Sequence, residues 1–173
     1  MRKVSPVMIV RNPADLKPAL KRGQALLGLD LGTKTIGLAR CDRALMFAAP
    51  LETLRRSKFT KDAEALMAII EREEIGGLVL GLPFNMDGSE GPRCQSTRQF
   101  ATNLLSKIDI PLAFWDERMS TQAVTRTLLE NDTTRKRRAE LVDKMAAAYI
   151  LQGALDAIAH DSAQTSAQKS YLP

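Results

Sequence analysis

The residues of this chain best suited to chemistry are carboxylates placed within or at the ends of apolar runs. Asp30 sits in Ala25-Leu26-Leu27-Gly28-Leu29-Asp30-Leu31, ahead of a Gly32-Thr33-Lys34 turn and a second apolar run. Asp116 and Glu117 close the run Ile110 to Trp115, and Asp143 falls in the first turns of a final helical stretch. An aspartate flanked by leucines on a buried strand is costly unless its charge is offset, so a metal, a lysine or a backbone amide is expected beside Asp30. Each acid also has a plainer use. Asp30 could tie down its turn, Asp116-Glu117 could cap the next helix, and Asp143 could simply sit at the positive end of its own. Together, however, carboxylates drawn from separate elements, without histidine or thiol ligands, form the ligand chemistry of hard cations such as Mg2+ or Mn2+. Two such ions about 4 Å apart can activate a water, align it with a phosphorus and stabilise the departing oxygen.

Composition agrees with a phosphate-bearing partner. The 173 residues are 45% hydrophobic and 26% charged, enough for one globular domain with a full core, and the formal net charge is +5. That excess favours an anionic partner, nucleic acid first. The run Thr133-Thr134-Arg135-Lys136-Arg137-Arg138 has the composition of a phosphate-backbone contact, although a short basic loop can equally be a solvated connector. No long apolar span points to a membrane, and the apolar residues of Met1 to Val10 are too few for a secretory signal, so a cytoplasmic protein is expected. The two cysteines, Cys41 and Cys94, lack CxxC spacing and read as free structural thiols. His160, the single histidine, is placed where a helix is expected to end. Zinc sites built from several histidines are thereby excluded, and a histidine-dependent hydrolase would have only His160 to use.

The elements that must position these residues follow from periodicity. Residues 1–23 read as an extension with at most a short helix near Ala14 to Leu20. A hairpin carries Asp30, and Leu45 to Leu54 is a third strand whose Pro50 marks an edge or a bulge. Ser57 to Glu74 has helical spacing and is ended by Ile75-Gly76-Gly77. Leu78 to Pro83 reads as a buried parallel strand that opens into a polar, glycine-rich loop, Phe84 to Pro92. Cys94 to Lys107 is a second helix with Arg93, Arg98 and Lys107 outward, and Ile110 to Trp115 is a further strand. A helix capped by Ser120 or Thr121 is expected to run to about Asn131, followed by the basic loop. The last helix runs from about Ala139 to His160. Its small residues one turn beyond Asp143 would let it approach the sheet closely, and the tail 161–173 is expected to be mobile.

Several blocks now identify a resemblance. Gly28-Leu29-Asp30-Leu31-Gly32-Thr33-Lys34-Thr35-Ile36-Gly37-Leu38-Ala39, Gly81-Leu82-Pro83 with Gly88 and Gly91, Asp116-Glu117-Arg118-Met119-Ser120-Thr121, and Asp143-Lys144-Met145-Ala146-Ala147 with Ile150-Leu151-Gln152 come in one order. In that order they resemble the YqgF (RuvX) family, RNase H-like proteins described as Holliday junction resolvases and as pre-16S rRNA nucleases. The resemblance implies an α/β, three-layer RNase H-like fold at 24–160, with a mixed sheet of about five strands, the first three antiparallel, and helices on both faces. It implies Asp30, Glu117 and Asp143 as metal-binding catalytic acids, with Asp116 the alternative to Glu117. Adjacent strand residues point to opposite faces, so only one of the two is expected in the cleft. Lys34, Arg118, Arg135, Lys136, Arg137 and Arg138 would grip phosphates, and the loop after Gly81-Leu82-Pro83 would close over a bound strand.

The expected function is a metal-dependent endonuclease acting on structured RNA, in 5′-end processing of pre-16S rRNA, as a monomer or homodimer. A four-way DNA junction is the alternative substrate, and its two-fold symmetry would favour a dimer. A non-catalytic RNA-binding module is more distant. So is an actin-like ATPase, which shares an Asp-x-Gly-Thr loop but normally clamps its nucleotide between two such domains.

Overall fold

The computed structural model describes residues 8–118 and 135–169, with side chains described for 8–118 and 145–167. A six-stranded mixed sheet carries the chain: β1 (Ile9–Val10), β2 (Ala25–Leu31), β3 (Thr35–Cys41), β4 (Ala48–Arg55), β5 (Ile75–Leu82) and β6 (Leu112–Asp116). The order across it is β1-β6-β5-β2-β3-β4. β2, β3 and β4 form an antiparallel meander, while β5 joins β2 in parallel, β6 joins β5, and β1 joins β6. The antiparallel trio expected at the start of the domain is β2, β3 and β4, and the mixed sheet has six strands where about five were expected.

The extra strand comes from the segment read as an extension. Met8 O accepts from Leu112 N at 3.0 Å, and β1 then covers the edge of β6. A 3-10 helix, Pro13–Ala19, follows; Asn12 Oδ1 caps it by accepting from Ala14 N, and Leu16 is fully buried in the core. A lone leucine in a proline-punctuated stretch gives no periodic signal, which is why the sequence alone leaves this segment outside the core.

Alternation along the strands sorts the layers. Helix α3 (Arg135–Lys169) lies across β2, β3 and β4 and reaches β5. It comes close because glycines face it. A methyl group on Gly28 would stand 2.7 Å from Leu151 Cβ and 2.9 Å from Ala147 O, and one on Gly81 would stand 2.5 Å from Ile150 Cδ1. Leu27, Leu29, Leu78, Leu80 and Leu82 point the opposite way, where α1 (Phe59–Arg72) and α2 (Pro92–Leu105) cover the sheet. Phe59 and Phe100 meet edge to face at 5.6 Å between those two helices.

Pro50 sits on the edge strand β4, and the register slips by one residue opposite Leu38 and Ala39, as the proline suggested. Cys41 and Cys94 are free and buried. Three boundaries differ from the sequence reading. Ile75-Gly76-Gly77 does not end α1 but opens β5; the chain turns at Glu74, in the left-handed region at φ 53°, and Gly77 leaves room for the Leu26 side chain. The run Arg135-Lys136-Arg137-Arg138 is not a loop but the first turn of α3, whose side chains there lie outside the described residues. At its other end α3 continues past His160, which is exposed in mid-helix, to Lys169. Ser162, Thr165 and Ser166 donate back to carbonyls one turn earlier, and Lys17 Nζ donates to Ser162 Oγ at 3.3 Å. The helix expected at Ser120 to Asn131 lies outside the described residues.

Burial of Leu16 makes the N-terminal segment part of the folding unit. Leu16→Ala is expected to cost about 2–5 kcal/mol in urea denaturation, the range for a buried leucine; a change below about 0.5 kcal/mol would show that the segment packs only loosely.

Candidate active site

Two of the sequence-selected acids meet. Asp30 is the penultimate residue of β2 and shares the Gly28 face, toward α3; across the ladder it pairs with Gly37, which adds no side chain. Glu117 follows β6 by one residue, and its amide donates to Leu82 O at 3.2 Å, extending the ladder far enough to hold the backbone. Its carboxylate lies against Gly81, where a methyl group would stand 2.6 Å from Oε1 and 2.9 Å from Cγ. A glycine here is a space requirement. Placed so, Glu117 is hydrogen-bonded to Asp30.

The neighbouring acid turns away. Asp116 lies on the opposite face and is engaged by Arg118, whose Nη2 donates to Oδ2 at 2.6 Å and Nε to Oδ1 at 3.0 Å; the Arg118 amide adds a third bond to Oδ1 at 3.0 Å. Those bonds hold the Asp116 carboxyl below the usual carboxylate range. The same guanidinium stacks on the Phe84 ring, 5.5 Å from its centroid, and reaches toward Gly88. Arg118 therefore ties the end of β6 to the loop after β5. That loop is internally bonded: Asn85 N donates to Ser89 O at 2.9 Å, Gly88 N to Asn85 O at 2.9 Å, and Ser89 Oγ to Asp87 Oδ1 at 2.6 Å. Arg98 on α2 pairs with Glu90 and stacks over Phe114 at 5.0 Å.

Electrostatics set Glu117 apart from Asp42, Asp87, Glu90 and Asp116, whose carboxyls are held low by their hydrogen bonds. Burial and, next, the negative charge of Asp30 push the Glu117 carboxyl up to about 7, with Arg93 pulling the other way. Beside Asp30 the structure places a second acid, Glu117, that can carry a proton.

The remaining predicted residues fall as follows. Lys34 is exposed at the β2–β3 turn, which Arg56 clamps by donating from Nη1 to Gly32 O at 2.7 Å and from its amide to Lys34 O at 2.8 Å. Asp143 lies in α3, one turn before Ala147 and two before Ile150, and its side chain is outside the described residues, as are those of Arg135 to Arg138. Among the described residues no group of three metal-ligating side chains is assembled. Beside Glu117 opens a cavity of about 340 Å³ between the 83–91 loop and the start of α2, with Phe84, Met86, Arg93 and Arg118 among its lining.

Residues 24–157 match the family model of RuvX, described as Holliday junction resolvase. The chain belongs to the RuvX family. A relative from Paramagnetospirillum magneticum, named "Putative pre-16S rRNA nuclease", is 64% identical over 149 residues, covering 86% of this chain and 96% of its own. One of the same name from Roseobacter denitrificans is 61% identical over 153 residues, covering 87% and 94%. Among solved structures, RuvC of T. thermophilus in complex with a Holliday junction substrate is similar at a TM-score of 0.47 and 15% identity, covering 73% of this chain and 91% of that one.

In this RuvX-family chain, sequence reasoning missed three contributors to the site. Gly81 was read as part of a strand and of a block carrying the resemblance but not as making room for an acid, Arg93 only as an outward helix residue, and Arg56 not at all. Arg93 had one visible signal: it follows Gly91-Pro92, the start of a helix entered from a strand-end loop.

The raised Glu117 carboxyl fixes a sign. Its stabilising contribution is complete below pH 4.5, the ordinary glutamate value, and is lost as pH rises toward about 7. In EDTA the Tm is expected to fall across that window, and Asp30→Asn should make the fall shallower by removing the neighbouring charge. Identical slopes in the two proteins would mean the carboxylates are not in contact.

Proposed function

We propose that this chain is a metal-dependent endonuclease that hydrolyses phosphodiester bonds, acting in the cytoplasm in 5′-end processing of pre-16S rRNA. The observation that carries the reading is the contact between Asp30 and Glu117 on the sheet face beneath α3. Two acids held together at a cost, with Gly81 giving the Glu117 carboxylate its room, suit a divalent cation whose charge would relieve their repulsion. The donors are all oxygen, which fits a hard cation rather than zinc or copper. Asp30, Glu117 and Asp143 would hold Mg2+ or Mn2+; Asp143 enters because it precedes Ala147 and Ile150, both sheet-facing, by one and two helical turns. When bound, the ion supplies activation of the attacking water and neutralisation of phosphate charge.

The chain's own residues do the rest. Arg93 favours the ionised form of Glu117, so that its proton can be released for binding. Arg56 keeps the turn bearing Lys34 in place, which positions that ammonium near the end of β2 for a phosphate. Arg118 acts on the loop through Asp116 and Phe84 and presents its remaining donors toward the cavity. Arg135, Lys136, Arg137 and Arg138 would extend the phosphate track, and the net charge of +5 agrees with that use. The names of the relatives favour the rRNA substrate, and the description of the family model favours a DNA junction.

Both substrates can be offered to the full chain, a pre-16S 5′ leader and a four-way junction, with Mg2+ and with EDTA. Wild type is expected to cleave the leader only with metal, and Asp30→Asn or Glu117→Gln to lose about a thousandfold, the several kcal/mol that a metal site supplies. Asp116→Asn should lose far less. Equal cleavage by wild type and Asp30→Asn would end the catalytic assignment, and preferential cutting of the junction by a dimer would move the substrate to DNA.

A further inference from the structure

We propose that the cavity beside Glu117 receives a single unstacked nucleobase, so that the chain requires an unpaired nucleotide next to the bond it cuts. This rests on the nuclease reading, which places a sugar-phosphate backbone at Asp30 and Glu117.

The cavity's size and chemistry select its occupant. At about 340 Å³ it has the volume of a small-molecule site, far more than a phosphate fills. Phe84, Met86 and Pro92 give it flat or apolar walls, and Asn85, whose Nδ2 already donates to Ser89 Oγ at 2.9 Å, keeps its oxygen and a second amide proton for the edge of a base. Glu117 forms one wall, which disfavours an anion inside but leaves a neutral ring acceptable. Arg93 and Arg118 also border it, where the phosphates flanking an inserted base would run. The Arg118 guanidinium, paired with Asp116, lies over the Phe84 ring, 5.5 Å from its centroid, and helps to place it. Met86, by contrast, is 84% exposed, a large apolar side chain with nothing covering it at the rim. It could fold over a base as a flexible cover. A stacked, paired base cannot enter such a recess, whereas one in a loop, a bulge or a single-stranded end can.

The test uses the full chain without metal, so that binding is read apart from cleavage. A single-stranded RNA 12-mer bearing a 2-aminopurine tract, and the same strand in a duplex, are titrated with wild type, Phe84→Ala and Met86→Ala. Wild type is expected to change the 2-aminopurine emission of the single strand and to bind it more tightly than the duplex. Phe84→Ala should weaken single-strand binding by about tenfold, the effect of one lost stacking platform, with duplex binding unchanged. Met86→Ala, on an exposed side chain that cannot disturb the core, should act in the same direction. Equal binding of single strand and duplex by wild type would overturn the proposal, as would variants that bind the single strand as wild type does or that weaken both alike. Mg2+-dependent cleavage of the pre-16S leader, run in parallel, separates the two claims. Phe84-dependent binding without cleavage sinks the nuclease reading and keeps the pocket, while cleavage with binding indifferent to Phe84 and Met86 does the reverse.

Discussion

Close approach between α3 and the sheet is the constraint on which the rest depends. An α-helix can settle this near a strand only where the strand offers no side chain, and Gly28 and Gly81 supply those places on adjacent strands β2 and β5. Gly28 is walled by the backbone and Cβ of α3, which cannot give way, and Gly81 by the Ile150 and Glu117 side chains, which would have to turn aside. Substituting either would lift the helix or displace the acid. The fold therefore positions its acids by close packing of apolar residues, and the same glycine that admits Ile150 admits Glu117.

From that packing follows the electrostatic character of the site. Carboxylates on a protein surface sit in water and titrate normally, but Asp30 and Glu117 face each other beneath a helix and share the cost of being there. A proton on Glu117 is one relief; a divalent cation would be another. On the far side of β6 the opposite solution is used, with Asp116 fully engaged by Arg118. One dipeptide thus serves two purposes because strand alternation sends its side chains to different faces: Glu117 toward the acid pair, Asp116 toward the loop that shapes the cavity.

Much of this was legible in the sequence, for reasons that differ by element. The meander β2–β4, the helices on both faces and the small-residue face of α3 follow from alternation, helical spacing and Pro50, all local signals. Strand alternation also stated that only one of Asp116 and Glu117 could join Asp30. What the sequence withheld is tertiary. The burial of Leu16 and the pairing of Ile9–Val10 with β6 arise from contacts made a hundred residues away. The continuation of α3 beyond His160, where Lys17 meets Ser162, runs through a stretch that composition presents as a polar tail. Gly81 was invisible as the residue that makes room for Glu117, because nothing local distinguishes such a glycine from one in any buried strand.

The central claim is that Asp30 and Glu117 together hold a divalent ion, and anomalous diffraction from crystals soaked in Mn2+ tests it most directly. The expected result is an anomalous peak coordinated by oxygens of both carboxylates, with Asp116 still paired to Arg118. A peak on Asp116 with Glu117 uninvolved, or none at the acid pair at saturating Mn2+, would contradict it.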